Sequence, residues 1–208
     1  GKLSKDLQKE FAKFCFKKNI SFFIMYGSTE ATSRMSFLPP KKSLEKIGSV
    51  GLPIPGAKIQ IKKNKNQKQG EIIFKGKNVT LGYCNEINDL KKGDFNKGLL
   101  NTGDIGYKDK DKFIYLVGRK KRFIKILGHR INLEELQEKL QKNILCQSIL
   151  CAGYDNLLKV YTTDKSKFKL IENYLKKNIK LNNKLFNIFL LEKIPKNSSG
   201  KILYSKLK

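Results

Sequence analysis

The chain has no tryptophan, one histidine and only four arginines among its 208 residues. Acidic residues number 18 against 44 lysines and arginines, a net charge of +26. Cysteine is sparse: Cys15, Cys84, Cys146 and Cys151, with no CxxC pair and His129 remote from all four in sequence. Each shortage excludes something. Zinc modules need Cys and His in closely spaced pairs, so a zinc site is not expected. Disulfide scaffolds need dense cysteine, so the four thiols are read as small buried hydrophobes, reduced as in a cytoplasmic protein. No apolar run approaches the roughly 20 residues of a membrane-spanning helix, and no secretory leader pattern is present. The chain opens at Gly1 without an initiator methionine and enters a helix almost at once, as a portion of a longer protein would.

The shortage of negative charge invites a nucleic-acid reading, because a basic surface releases counterions from phosphates. The residue types argue against it. Nearly all the positive charge is lysine, scattered along the chain, whereas arginine is the preferred residue for forked phosphate and base contacts. Abundant Lys, Asn and Ile together are what an AT-rich genome encodes. Nonspecific binding to polyanions at low salt is expected; sequence-specific nucleic-acid recognition is not.

Hydrophobic residues make up 39% of the chain, enough for one large or two modest cores. Leu3, Leu7, Phe11, Phe14 and Cys15 recur at helical spacing, with Ser4 placed to cap. Ile20–Met25 reads as a buried strand of a parallel sheet. At its end stands Tyr26-Gly27-Ser28-Thr29-Glu30, where open α/β sheets place their ligands. Tyr26 offers a flat face to a purine, Gly27 allows close backbone approach, Thr29 can donate to a phosphate and Glu30 can ligate Mg²⁺. Short β-like runs follow, punctuated by glycine and proline, with a polar hairpin loop over Lys62–Gly70. Asn101-Thr102-Gly103-Asp104 puts a carboxylate at an expected strand end, suited to a ribose diol, and Lys108–Lys112 is a charged hairpin tip.

Residues 118–136, GRKKRFIKILGHRINLEEL, are the stretch around which the rest is organised. Two glycine turns flank an apolar-alternating segment. Asn132 and Glu135 then have capping-box spacing at the head of a helix over 133–142. Basic side chains surround both turns, forming a bendable joint suited to an anion. Beyond it, strands near 148–153, 157–162 and 188–191 and a helix near 167–177 make a separate α+β domain. The chain closes on Pro195-Lys196-Asn197-Ser198-Ser199-Gly200-Lys201, a turn presenting one lysine.

The segment GRKKRFIKILGHRINLEEL resembles the hinge of the adenylate-forming enzymes: the acyl-CoA synthetases, the adenylation domains of peptide synthetases and the firefly luciferases. YGSTEAT at 26–32, GEIIFKGKNVTLGY at 70–83, NTGDIG at 101–106 and PKNSSGK at 195–201 occur in that family's order. The resemblance implies an α+β fold in two parts. Residues 1–117 would be the end of a large adenylating domain, including a small β-barrel subdomain, and 118–208 a hinge and a small mobile lid domain. It implies that Tyr26 stacks on adenine, with Gly27 in the same loop. Thr29 would meet the α-phosphate, Glu30 would hold Mg²⁺, and Asp104 and Arg119 would fix the ribose. Arg34 and Met35 would lie near the acyl pocket. Lys201 would be the adenylation lysine, Lys121 the pivot, and Gly128 the border of a pantetheine tunnel. His129 is read as a satisfied or exposed loop residue rather than a general base, and Arg130 as a support of the hinge fold rather than a substrate contact.

The function so implied is ATP-dependent activation of a carboxylic acid with release of pyrophosphate, then transfer to the pantetheine thiol of a separate carrier protein. The alternative is an acyl-CoA synthetase using free CoA, and a second class of reading is a non-catalytic basic binding module. A Ser/Thr/Gly-rich loop ending in Pro-Lys-Gly, which grips the outer phosphates in the family, is absent from these 208 residues, so this portion alone is expected not to activate acids.

Overall fold

The computed structural model describes residues 3–63 and 67–207. The chain divides into two compact units, residues 1–120 and 121–208.

The first unit begins with helix α1 (Lys5–Lys17), whose N-cap Ser4 accepts a hydrogen bond from the Leu7 amide. Its strands are β1 (Ile24–Tyr26), β2 (Ser36–Leu38), β3 (Ser49–Pro53), β4 (Lys58–Lys62), β5 (Gly70–Lys75), β6 (Leu99–Lys108) and β7 (Ile114–Arg119). They form one sheet in the order β1-β2-β3-β7-β6-β5-β4, with every neighbouring pair antiparallel. The sheet's core gathers Met35, Ile59, Ile72, Phe74 and Ile114, each 3% exposed or less. The β6–β7 turn over Asp109–Lys112 is drawn in by Lys46, whose Nζ reaches Asp109 at 2.9 Å and Asp111 at 2.5 Å.

Several expectations for this unit are corrected. The small barrel is an open sheet, since closure needs the two edge strands to meet and β1 and β4 lie at opposite ends of the order. The parallel strand over 20–25 is a three-residue antiparallel strand paired to β2. Ile20, Phe23 and Met25 remain about half exposed, and the apolar stripe of α1 is likewise uncovered: Leu7, Phe11 and Phe14 are exposed, while Gln8 and Ala12 are buried. A helical stripe announces that a face is apolar, not what lies on it. Cys84, expected to be buried, is exposed, and residues 79–83 are irregular. The tip of the polar hairpin loop, residues 64–66, lies outside the described residues.

The second unit opens with a hairpin, β8 (Phe123–Ile126) and β9 (His129–Asn132), joined by Leu127-Gly128 at φ 49° and 80°. Both φ values are positive, as a two-residue turn matching strand twist requires. Helix α2 (Leu133–Ile144) follows, its N-cap Asn132 accepting from the amides of Glu134 and Glu135. A three-stranded sheet of β10 (Leu150–Tyr154), β11 (Leu157–Thr162) and β12 (Phe186–Leu190) has β10–β11 antiparallel and β11–β12 parallel. The parallel pair is bridged by helix α3 (Phe168–Asn178), as a parallel connection demands. Leu136, Leu140, Ile149, Leu158, Val160, Ile171 and Leu175 fill one closed core. Each such fully buried aliphatic side chain contributes about 1.5–3 kcal/mol. Cys146 and Cys151 belong to that core, and burial pushes the Cys151 thiol up to about 12, so it is no nucleophile at neutral pH.

Candidate functional site

In the first unit the loop after β1 folds back on itself. The Tyr26 carbonyl accepts from the Met35 amide at 2.7 Å and the Ser28 carbonyl from the Ser33 amide at 2.9 Å. A Cβ on Gly27 would lie 2.0 Å from the Ser33 carbonyl oxygen, so only glycine lets the two arms approach. Thr32 and Ser33 both have positive φ, 54° and 61°, a conformation costing of order 1 kcal/mol per non-glycine residue. Asn78 holds it: its amide group donates to the carbonyls of Ala31 (2.7 Å) and Arg34 (3.1 Å) and to Thr32 Oγ1 (3.3 Å). An open depression of about 650 Å³ is lined by Gly27, Ser28, Thr29, Thr32 and Ser33. Small residues, hydroxyls and tightly turned backbone suit a phosphate group.

Glu30 sits in a short 3₁₀ turn, Thr29–Ala31. Its carbonyl accepts from the Thr80 amide at 2.8 Å, and its carboxylate Oε1 accepts from the Tyr83 hydroxyl. The Tyr83 bond is the main reason the Glu30 carboxyl titrates below the usual range. Thr29 is exposed.

Asp104 is the centre of the second cluster. It lies within β6, not at a strand end, in a bulge where Thr102, Gly103 and Asp104 stand opposite the single Ile72 of β5, with Gly103 at φ 69°. Bulges of this kind re-aim side chains. The Tyr26 hydroxyl donates to Asp104 Oδ2 at 2.6 Å and Arg119 Nε to Oδ1 at 2.7 Å. Thr102 Oγ1 accepts from the Asp104 amide at 3.1 Å. The Asp104 side chain is 11% exposed and that of Arg119 58%. Tyr26 is itself 8% exposed. Its burial, then the neighbouring Asp104 carboxylate, holds its hydroxyl well above the ordinary tyrosine range. The structure therefore brings together Tyr26, Asp104 and Arg119, and separately joins Glu30 to Tyr83. Sequence reasoning assigned no role to Asn78 or Tyr83, although both lie inside the GEIIFKGKNVTLGY motif.

In the second unit, Lys121 is exposed in the 3₁₀ turn Lys120–Arg122, and the division between the units falls immediately before it. Gly128 is the second residue of the β8–β9 turn, where a Cβ would meet open space, so its backbone angle is what glycine supplies. Lys201 is exposed on the return arm of a small hairpin closed by the bridge Lys196–Ile202. Its turn is knotted by Asn197, whose Oδ1 accepts from the Lys201 amide at 2.8 Å and from Ser199 Oγ at 2.9 Å. His129 is exposed and Arg130 stacks on Phe123 at 4.0 Å.

Residues 1–84 match the family model described as AMP-binding enzyme. A 2-succinylbenzoate–CoA ligase of Listeria monocytogenes is 29% identical over 96% of this chain and 43% of its own length. That of Bacillus licheniformis is 39% identical over 59% of this chain and 26% of its own length. Among solved structures, o-succinylbenzoate CoA synthetase from Bacillus subtilis, in complex with an acyl-adenylate intermediate, superposes with a TM-score of 0.74 at 28% identity. The match covers 100% of this chain and 44% of that one. The same enzyme has been solved with ATP and magnesium ion, TM-score 0.68 at 29% identity over 95% of this chain and 43% of that one. The chain thus spans less than half the length of these relatives, and its similarity to them extends over nearly all of its own length, with residues 1–84 similar to the AMP-binding enzymes.

Proposed function

We propose that the chain is part of an AMP-forming acid–CoA ligase. It would activate an aromatic acid of the 2-succinylbenzoate kind with ATP and pass the acyl group to CoA. The observation that carries this reading is the bonded Tyr26–Asp104–Arg119 cluster in the same unit as the hydroxyl-lined Gly27–Ser33 loop. The first is a polar clamp for a nucleoside and the second a cradle for its phosphate. The acceptor expected from sequence was a carrier-protein thiol; the relatives are named as CoA ligases, which supports the free-CoA alternative.

In the first half-reaction a carboxylate oxygen attacks the α-phosphorus of ATP, the bond to the β-phosphate oxygen breaks, and pyrophosphate leaves. Two anions meet, so cationic groups must face the reacting centre. Lys201 supplies an ammonium on an exposed hairpin, a compact charge able to follow developing negative charge. Asp104 and Arg119 orient the ribose, Tyr26 borders the base, and Thr29 donates to the α-phosphate; such positioning removes freedom the reactants would lose in the transition state. In the second half-reaction the CoA sulfur attacks the acyl carbon, the acyl–phosphate bond breaks, AMP leaves, and the thiol proton passes to solvent. Domain alternation about Lys121 would exchange Lys201 for the turn at Gly128 between the halves.

Glu30 fits a role as a Mg²⁺ ligand. Among the described residues no three acidic or Cys/His side chains gather into a metal site, and Mg²⁺ is commonly held by one or two carboxylates plus substrate phosphates. When bound there, the ion would neutralise phosphate charge.

The test is ATP–pyrophosphate exchange by the full-length protein with 2-succinylbenzoate, fatty acids and amino acids, followed by mass detection of the CoA thioester. Exchange with the aromatic acid, lost in Lys201→Ala, is expected. Exchange confined to amino acids overturns the substrate assignment, and failure to bind ATP overturns the enzyme reading in favour of a binding module.

A further inference from the structure

Arg122 follows the proposed pivot directly, and its side chain turns inward rather than to water. It is 12% exposed. Its guanidinium carbon lies 3.9 Å from the centre of the Tyr204 ring. Nη1 donates to the Cys151 carbonyl at 2.9 Å, and Nε stands 4.0 Å from a Glu134 carboxylate oxygen. Among the described residues, the buried Nε and Nη2 have no hydrogen-bond partner. Tyr204 is tied on its other side, its hydroxyl donating to Gln137 Oε1 at 3.1 Å; the same oxygen accepts from the Cys151 amide at 3.0 Å. One network therefore joins the first turn of the unit, α2, β10 and the residue three places after Lys201.

A buried arginine with two idle donors is costly, and a lysine would neutralise Glu134 equally well. What arginine adds is a plane that lies flat on an aromatic ring. Tyr204 stands at the foot of the Lys201 hairpin, where the Leu203 amide donates to the Pro195 carbonyl at 2.9 Å. The hairpin itself is short, exposed and closed by a single bridge. Its own contacts shape the turn, and Tyr204 ties its foot to Arg122 and to Gln137 of α2.

We infer that the Arg122–Tyr204 stack is a positioning device, fixing the hairpin that carries Lys201 to the residue next to the pivot, so that a rotation at Lys121 reaches the lysine without slack. This rests on the reading of Lys201 as the adenylation lysine. Neither Arg122 nor Tyr204 touches a reactant in this scheme. They set where Lys201 stands.

The experiment compares Tyr204→Ala, Tyr204→Phe and Arg122→Lys with the unaltered full-length protein and with Lys201→Ala. Three readouts are taken: kcat and KM for ATP in pyrophosphate exchange, CoA thioester formation from preformed acyl-adenylate, and amide hydrogen exchange over residues 196–203. Tyr204→Ala and Arg122→Lys are expected to lower kcat for adenylation roughly ten- to hundredfold, the scale of a misplacement near 1 Å. KM for ATP and the thioester step should stay within about twofold, and hairpin amides should exchange faster while α3 stays protected. Tyr204→Phe keeps the ring and should retain most of the adenylation rate. Unchanged hairpin exchange, or a kcat within twofold in both disruptive variants, overturns the proposal. If Tyr204→Ala also exposes α2 and α3, Arg122→Lys decides on the same criteria. Full adenylation by Lys201→Ala would instead overturn the reading of Lys201, while hydrogen exchange would still decide whether the stack holds the hairpin.

Discussion

The two units bury their apolar residues to different degrees. In residues 121–207 the helices turn their stripes onto the three-stranded sheet, and Leu140, Ile149, Leu158, Ile171 and Leu175 are fully covered. In residues 3–120 the sheet has a core of its own, yet α1 and β1 leave Leu7, Phe11, Phe14, Phe23 and Met25 about half exposed, and Leu81, Ile87, Leu90 and Phe95 are more exposed still. Tyr26, Asp104 and Arg119, proposed to bind the nucleotide, sit in the unit with uncovered faces and bond to one another. Lys201, proposed to act in adenylation, sits in the closed unit on an exposed hairpin.

The sharpest way to break that contrast is Lys201→Ala in the full-length protein. Adenylation kcat should fall about 10²- to 10³-fold, in line with removing a group that stabilises charge only in the transition state, while KM for ATP moves less than about twofold. An effect on KM alone would put Lys201 among the binding groups. Next in size, Leu140→Ala should destabilise the second unit by about 2–5 kcal/mol, whereas Phe14→Ala in this 208-residue chain should cost under about 1 kcal/mol. Hydrogen exchange resolves the units separately, and equal losses would show that α1 is covered in solution.

Asp104→Ala should destabilise the first unit by about 1–3 kcal/mol, because it strands the buried Tyr26 hydroxyl and frees Arg119; denaturant unfolding followed by tyrosine fluorescence measures it. The smallest expected effect is on pH dependence. Burial, then Asp104, raises the Tyr26 hydroxyl above the ordinary value near 10. The folded state therefore keeps this proton where the unfolded chain releases it. The stabilisation is complete below about pH 10 and is lost as pH rises beyond it. Tyr26→Phe should show a shallower loss of stability between about pH 9 and pH 11.

The second unit's elements were largely legible because each amphipathic segment found its partner within about 90 residues: Asn132 does cap α2, and the helix expected near 167–177 buries Ile171 and Leu175. The first unit was less legible. Periodicity located α1 but could not report that its stripe lacks a cover. The extended run before Tyr26 was visible, its antiparallel pairing was not. Motif spelling singled out Tyr26, Asp104 and Arg119. That the three bond to one another depends on the bulge of β6 against β5 and on the β6–β7 pairing of Asp104 with Arg119, which no local pattern encodes. Tyr83 on Glu30 and Tyr204 on Arg122 are contacts between distant segments and were silent for the same reason.

The Asp104 carboxylate is engaged within the protein before any ligand arrives. Both of its oxygens already accept a hydrogen bond from the protein, from Tyr26 on one side and Arg119 on the other. Each oxygen keeps a second lone pair, so a ribose bound as proposed would share the carboxylate with Tyr26 and Arg119 rather than displace them. A vicinal diol could then add a donor at both oxygens and a deoxy sugar at one only, on a carboxylate whose orientation its protein partners have already set.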